Sequence, residues 1–290
     1  MGRNLSRRSF IKQVLKLGLL MTGTSTGIYH YAHTIEPTSL QTTQHTIRNI
    51  EIPQGFNGFK IVQFSDTHLG FNYTLEQFEQ LITKINSLNP DVIFFSGDLM
   101  DEPNKYEERQ GISPILKRLQ APFGKFSIYG NHDHGGYGSD IYKTIMNQSE
   151  FMILQNQSHK IRLLDGSEIY VLGLDDAMLG RPDLALMLAG VPENSYKILL
   201  CHEPDLADQA QYYRIQLQLS GHSHGGQIQI PFIGPLVTPP LAEKYHEGFY
   251  YLENEAHQLT LYVNRGIGTT RLPFRFLSQP EVTVFHLSNR

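Results

Sequence analysis

Lys60-Ile61-Val62-Gln63-Phe64-Ser65, running straight into Asp66-Thr67-His68, is a short β-rich run that stops on two metal-ligand residues. After it, Leu75, Phe78, Leu81, Ile82, Ile85 and Leu88 recur at the spacing of one helical face. Thr74 with Gln77 three positions on reads as a capping box, and Asn89-Pro90 stops the helix. Asp91-Val92-Ile93-Phe94-Phe95-Ser96 is then a second buried strand, ending at Gly97-Asp98. This strand–helix–strand succession predicts an α/β sheet with parallel pairs. Outward from it, a further helical segment runs through Ile115 to Leu119, and a third strand, Lys125 to Tyr129, ends at Gly130-Asn131-His132-Asp133. Tyr196 to Leu200 ends at Cys201-His202, and Ile215 to Leu219 leads into Gly221-His222-Ser223-His224. The second half is richer in strands, at Glu168–Leu172, Gln227–Ile230, Phe249–Glu253, Leu259–Val263 and Glu281–His286, which predicts a second sheet packed on the first.

Ligands in open α/β sheets collect beyond the carboxyl ends of strands. One Asp or His after a strand is most often a turn residue, but five strand ends in one chain point to a site. Asp and His together suit borderline divalent ions, and an asparagine oxygen adds a neutral ligand. Asp98 is the natural carboxylate to bridge two adjacent ions. The single cysteine, Cys201, excludes an intramolecular disulfide and a Cys-rich zinc cage, whereas the 13 histidines can carry metal chemistry. Beside His202, Cys201 reads as a buried, inert thiol.

The chain has 290 residues, 40% hydrophobic and 18% charged, enough for a sizeable core. Its formal net charge of −4 is uneven: residues 1–33 contribute +5 with no acid, and the rest carries −9. So acidic a body is a poor grip for nucleic-acid phosphates, and no nucleic-acid partner is expected. Ser6-Arg7-Arg8-Ser9-Phe10-Ile11-Lys12 resembles the twin-arginine export motif and is followed by a moderately apolar stretch over residues 14–31. Residues 1–33 are therefore expected to be a twin-arginine signal or membrane anchor. Residues 34–46, polar with Pro37, read as a linker, and 47–290 as the folded domain.

Asp66-x-His68, Gly97-Asp98-x-x-Asp101, Gly130-Asn131-His132-Asp133, His202 and Gly221-His222-x-His224 together resemble the signature of the calcineurin-like metallophosphoesterases. The stretch from His224 through Pro235 and the tail from Asn264 to Pro273 are similar to the bacterial YkuE-type branch, whose members often carry twin-arginine signals. The resemblance implies a four-layer α/β/β/α sandwich of two mixed sheets. It implies two divalent ions (Mn, Fe or Zn), one held by Asp66, His68, Asp98 and His224, the other by Asp98, Asn131, His202 and His222. Water activated between the ions would attack phosphorus. His132 would serve the leaving oxygen, and Asp101 would orient His132. Glu102 stands where phosphoprotein phosphatases of the superfamily have Arg, which argues against a phosphoprotein substrate.

The function expected is a phosphoester hydrolase at the cell envelope, exported by the twin-arginine machinery and associated with the membrane. Its substrate would be a phosphorylated small molecule or lipid, including pyrophosphates such as UDP-2,3-diacylglucosamine. A non-catalytic metal-binding module and a nuclease on the same fold are the alternatives. The apolar His224–Pro240 loop and Leu272–Leu277 tail are candidate substrate walls; Arg265, Arg271 and Arg275 read first as a charged edge beside a core strand, with contact to an anionic group as the alternative. Gly135-Gly136-Tyr137-Gly138 reads as a flexible loop beside the site, and His134 as a solvated loop histidine or a residue at the cleft's mouth.

Overall fold

The computed structural model describes residues 24–134, 139–254 and 257–290. The twin-arginine motif, most of the 14–31 stretch and the Gly135–Gly138 loop lie outside them. Among the described residues, no helix is long and apolar enough to cross a membrane.

Among the described residues, fourteen strands build two six-stranded mixed sheets and one small hairpin. The first sheet has the order β1 (Gln41–Arg48), β14 (Glu281–Ser288), β2 (Lys60–Phe64), β3 (Val92–Phe95), β4 (Lys125–Ser127), β5 (Met152–Ile153). Strands β2 to β5 are parallel, and the helix Leu75–Ser87 makes the crossover from β2 to β3. That helix starts on the expected capping box, with Thr74 Oγ1 accepting Gln77 N at 3.2 Å and Gln77 Oε1 accepting Thr74 N at 2.9 Å. The second sheet has the order β12 (Gly248–Glu253), β13 (Gln258–Val263), β9 (Leu217–Ser220), β8 (Tyr196–Leu200), β7 (Glu168–Gly173), β6 (Gln157–Arg162).

Alternation along the strands sorts the core into three layers. Ile61, Phe94, Phe126, Ile198, Leu217 and Phe285 fill the space between the sheets. Val62, Phe64, Ile93 and Phe95, their neighbours in sequence, face the helices Leu75–Ser87 and Ser139–Gln148. Leu172, Leu199, Leu261 and Val263 pack outward against the short helices on the other side. The result is the α/β/β/α sandwich. The central strands are buried on both faces, which is why β3 reads as an unbroken apolar run and why even Gln63 of β2 and Gln218 of β9 are buried.

Three expectations need correction. Residues 34–46 are not a linker. Tyr31–Ile35 and Glu36–Thr38 are helical turns, Glu36 is fully buried, and Gln41–Arg48 is an edge strand parallel to β14. An edge strand exposed on one face needs few apolar residues, and only Ile47 of this one is buried, so it reads as polar chain. Glu281–Ser288 belongs to the first sheet, between β1 and β2, not to the second. Within Gln227–Ile230 only Gln229–Ile230 is strand (β10), paired with Gly234–Pro235 (β11) in the separate hairpin.

Candidate active site

The residues singled out from the sequence leave the carboxyl ends of parallel strands. β2 delivers Asp66 and His68, β3 delivers Asp98 and Asp101, and β4 delivers Asn131 and His132; β8 delivers His202, and β9 delivers His222 and His224. The carboxyl edges of the two sheets meet here and are stitched together. Gln63 Nε2 donates to Ser220 O at 3.1 Å, His202 Nδ1 to Ser96 O at 2.7 Å, and His222 N to both oxygens of Asp66 at 3.0 and 3.1 Å.

The backbone turns sharply at the candidate ligands. Asp66, His68, Asp98, His222 and His224 have φ of 53, 42, 61, 68 and 52°, in the left-handed region that residues with side chains seldom occupy. Such conformations persist only where the surroundings impose them. Asp133 is one imposing group: its buried carboxylate accepts the N–H of Asp98 at 2.6 Å, Leu99 at 2.9 Å and Gly130 at 3.1 Å. Burial, and then the charge of Asp98, push its pKa up to about 8. Gly130 is required as glycine, because a Cβ there would collide with the Asp98 carboxylate.

Three groups of side chains converge. Asp66, His68 and His224 bring one ligand atom each within 4.8 Å of one another, as do Asp98, His202 and His222, and as do His68, Asp98 and His132. The fit to cations rests on lone pairs. Each of three candidate ligand histidines has one nitrogen against an acceptor: His68 Nδ1 to Asp101 Oδ1 at 3.1 Å, His202 Nδ1 to Ser96 O, and His222 Nε2 to Pro240 O at 2.9 Å. The acceptor fixes the proton on that nitrogen and leaves the other nitrogen's lone pair for the site. His202 Nε2 and Asn131 Oδ1 are buried with no hydrogen-bond partner, an arrangement that a cation would satisfy. Burial would raise the pKa of Asp98, but His202, His132 and His68 outweigh it and hold the carboxylate well below its usual range. Burial, then His202, push His222 down to about 4, so it is neutral and free to ligate.

Asp101 departs from its expected role. Its carboxylate takes His68 and the Thr270 hydroxyl, at 3.1 and 2.8 Å, and lies 3.8 Å from His132 Nδ1. It is the Asp101 backbone carbonyl that holds His132. His132 lines the open cleft together with Asp98 and Asn131.

Residues 59–226 match the calcineurin-like phosphoesterase family. The chain belongs to that family. It is 48% identical over 289 residues to the Bacillus subtilis metallophosphoesterase YkuE, covering 99% of both chains. It is 27% identical over 312 residues to the Chlamydia trachomatis UDP-2,3-diacylglucosamine pyrophosphatase LpxG, covering 87% of this chain and 90% of that one. Haemophilus influenzae NAD nucleotidase matches in structure with a TM-score of 0.49 at 15% identity, over 72% of this chain and 45% of its own. The protein is thus a metal-dependent phosphoesterase, a hydrolase.

Within this calcineurin-like phosphoesterase, two structural residues escape a sequence reading. Asp133 pins the Asp98 turn, and only its place in a strand-end motif marks it. Arg275 was a candidate contact for an anionic group, but it is fully buried behind His224. Its guanidinium donates to the carbonyls of Gly268 at 2.6 Å, Arg265 at 2.8 Å and Ser278 at 2.8 Å. Burial pushes its pKa down to about 9, against the pull of Asp66. The loop it clamps closes on the first ligand: Ile267 N donates to Ser65 O at 3.0 Å and Gly268 N to Asp66 O at 2.7 Å. The other two arginines differ: Arg265 pairs with Glu281 at 3.3 Å, and Arg271 lines the cleft. His134 Nε2 meets Asp175 at 3.1 Å, and Cys201 is buried with its thiol pKa pushed up by burial.

Lysine at position 275 cannot reach three carbonyls from one planar fork. Arg275→Lys is expected to lower stability by about 1–3 kcal/mol through unmet buried carbonyls. It is also expected to loosen metal held by Asp66, His68 and His224. Urea unfolding and elemental analysis of the metal-loaded protein measure both, and wild-type values for both would remove Arg275 from the site's support.

Proposed function

We propose that the protein hydrolyses a phosphate ester or pyrophosphate carrying a lipid or other apolar portion, at the outer surface of the cell membrane. The observation that carries this is the cleft that opens directly from the candidate ligand cluster. One end is Asp98, Asn131, His132, His222 and His224; the walls are Ile228, Leu236, Val237, Pro239 and Leu272. A wall that apolar beside a charged floor suits a substrate with a phosphoryl group at one end and hydrocarbon next to it. On the other side of His132 lies a polar recess with Glu102, Asn104 and Lys105, room for a hydrophilic group across the phosphoryl position. The relative named as a UDP-2,3-diacylglucosamine pyrophosphatase supports the same reading.

Two divalent ions (Mn, Fe or Zn) held by Asp66, His68, Asp98, Asn131, His202, His222 and His224 would supply an activated water and neutralise phosphoryl oxygens. The chain's own groups do the rest. The Asp101 carbonyl fixes the proton of His132 on Nδ1 and so turns Nε2 toward the cleft. Burial lowers the pKa of His132, but Asp98 and the Asp101 carbonyl outweigh it and raise it. Nε2 is placed to give a proton or hydrogen bond to the leaving oxygen.

Two arms of one experiment test this. For wild type, kcat/KM on a prenyl or acyl phosphoester should exceed that on a soluble nucleotide of the same linkage, and a clear advantage for the nucleotide would sink the lipid reading. His132→Ala should lose about 10²–10⁴-fold in kcat on both with its metal content intact; loss of metal would instead make His132 a ligand.

The envelope location rests on Ser6-Arg7-Arg8-Ser9-Phe10 and the apolar stretch after it. Replacing Arg7 and Arg8 with Lys should strand the protein in the cytoplasm with its purified activity unchanged. Normal export of that variant would refute the twin-arginine route.

A further inference from the structure

Three segments far apart in sequence form one face around the mouth of the cleft. The first is the β10–β11 hairpin, whose tip is Pro231-Phe232-Ile233. Phe232 is fully exposed, with a left-handed φ of 68°. Neither Phe232 nor Ile233 lines the cleft. An aromatic side chain held in water on a disfavoured backbone is costly twice over, and nothing among the described residues covers it. The second segment is the tail 272–277, tied to the hairpin's base by Gln229 N to Phe276 O and Phe276 N to Gln227 O, both 2.8 Å. The third is the segment from Thr24. Tyr29 and His33 pack on Phe274 at 5.4 and 5.2 Å between ring centroids, and Arg275 N donates to Ala32 O at 2.9 Å.

This face is apolar and free of exposed acids. Phe232, Ile233, Leu236, Val237, Leu272 and Leu277 are all more than half exposed. Residues 227–240 hold no charged residue, and 24–35 hold none. Residues 270–277 hold only the exposed Arg271 and the buried Arg275. In a chain with 28 acidic residues, so large a patch without one is selective. The occupant is indicated by where the chain enters. Residues before Thr24 join the structure on this face, and they contain Arg3, Arg7, Arg8, Lys12 and Lys16, no acid, and an apolar run from Val14. On the export reading their basic end stays on the cytoplasmic side and the apolar run enters the bilayer, so the face where that run meets the domain lies against the outer membrane surface.

We propose that this rim is a lipid-docking surface. Phe232 and Ile233 enter the boundary between headgroups and acyl chains, and the cleft opens onto that boundary. A phosphoester then passes from the bilayer to the ligand cluster without its hydrocarbon crossing water. The docking surface deepens the lipid-ester reading above, and its test reads insertion rather than turnover.

The chain contains no tryptophan, so Phe232→Trp places a sole emitter at the hairpin tip of the full-length protein. Leu164→Trp, at the exposed β6–β7 turn on the opposite end of the second sheet, is the control. Both are titrated with vesicles of phosphatidylethanolamine and phosphatidylglycerol, with and without brominated acyl chains. The expected result is a blue shift and bromine quenching for Phe232→Trp, and neither for Leu164→Trp. Vesicle-bound protein whose Phe232→Trp emission stays as in buffer would overturn the proposal. So would equal quenching of both variants, failure to bind vesicles, or a blue shift that grows with protein concentration in their absence, which would assign the rim to self-association.

Discussion

Two buried carboxylates, Asp66 and Asp98, sit at the seam of two sheets, and the architecture around them follows from that placement. Buried anions are tolerated only where opposite charge and hydrogen-bond donors surround them. Here the donors are backbone N–H groups and the Ser65 hydroxyl, and the ring of histidines around the two carboxylates leaves places where divalent cations would supply the opposite charge. Asp66 takes His222 N and the Ser65 hydroxyl; Asp98 takes His132 N at 2.8 Å and faces His202 Nε2 at 3.3 Å. To make these contacts the chain must turn back on itself at each strand end. That accounts for the left-handed ligands, for Gly130, and for Asp133 beneath the Asp98 turn.

The support extends well beyond the ligands. Glu36 Oε1 accepts Ser278 N at 2.6 Å, and the Ser278 hydroxyl donates to His224 O at 2.8 Å. Arg275 joins the same residues from the other side. The N-terminal segment is therefore part of the wall behind His224 and not merely a tether. It also sets the geometry of the rim, because Tyr29, His33 and Ala32 hold the tail that the hairpin leans on. Chemistry at the cluster and orientation of the cleft mouth thus share one set of contacts.

Much of this was legible in the sequence because the chemistry sits where periodicity ends. An apolar run followed at once by Asp, Asn or His is a signal that survives without coordinates, and it located Asp66, His68, Asp98, Asn131, His132, His202, His222 and His224 in one place. What was not legible depends on partners distant in sequence. The strand Gln41–Arg48 is polar because it is an edge, so no apolar pattern announces it. The alternation in Glu281–Ser288 fits either sheet, and only its pairing with both Gln41–Arg48 and Lys60–Phe64 decides between them. Asp101 illustrates the same limit at the scale of one side chain: the motif marks the residue, but whether its carboxylate or its carbonyl reaches His132 is a matter of loop geometry. Arg275 reads as a surface cation among aromatics until its three carbonyl partners are in view.

The central claim is that Asp98 serves both halves of the cluster, Asp66, His68 and His224 on one side, and Asn131, His202 and His222 on the other. Elemental analysis of wild type and Asp98→Asn, each folded with excess Mn²⁺ and dialysed, tests it most directly. The account predicts close to two equivalents of metal in wild type and loss from both sites in Asp98→Asn. One ion retained tightly by Asp98→Asn, with turnover preserved, would contradict it.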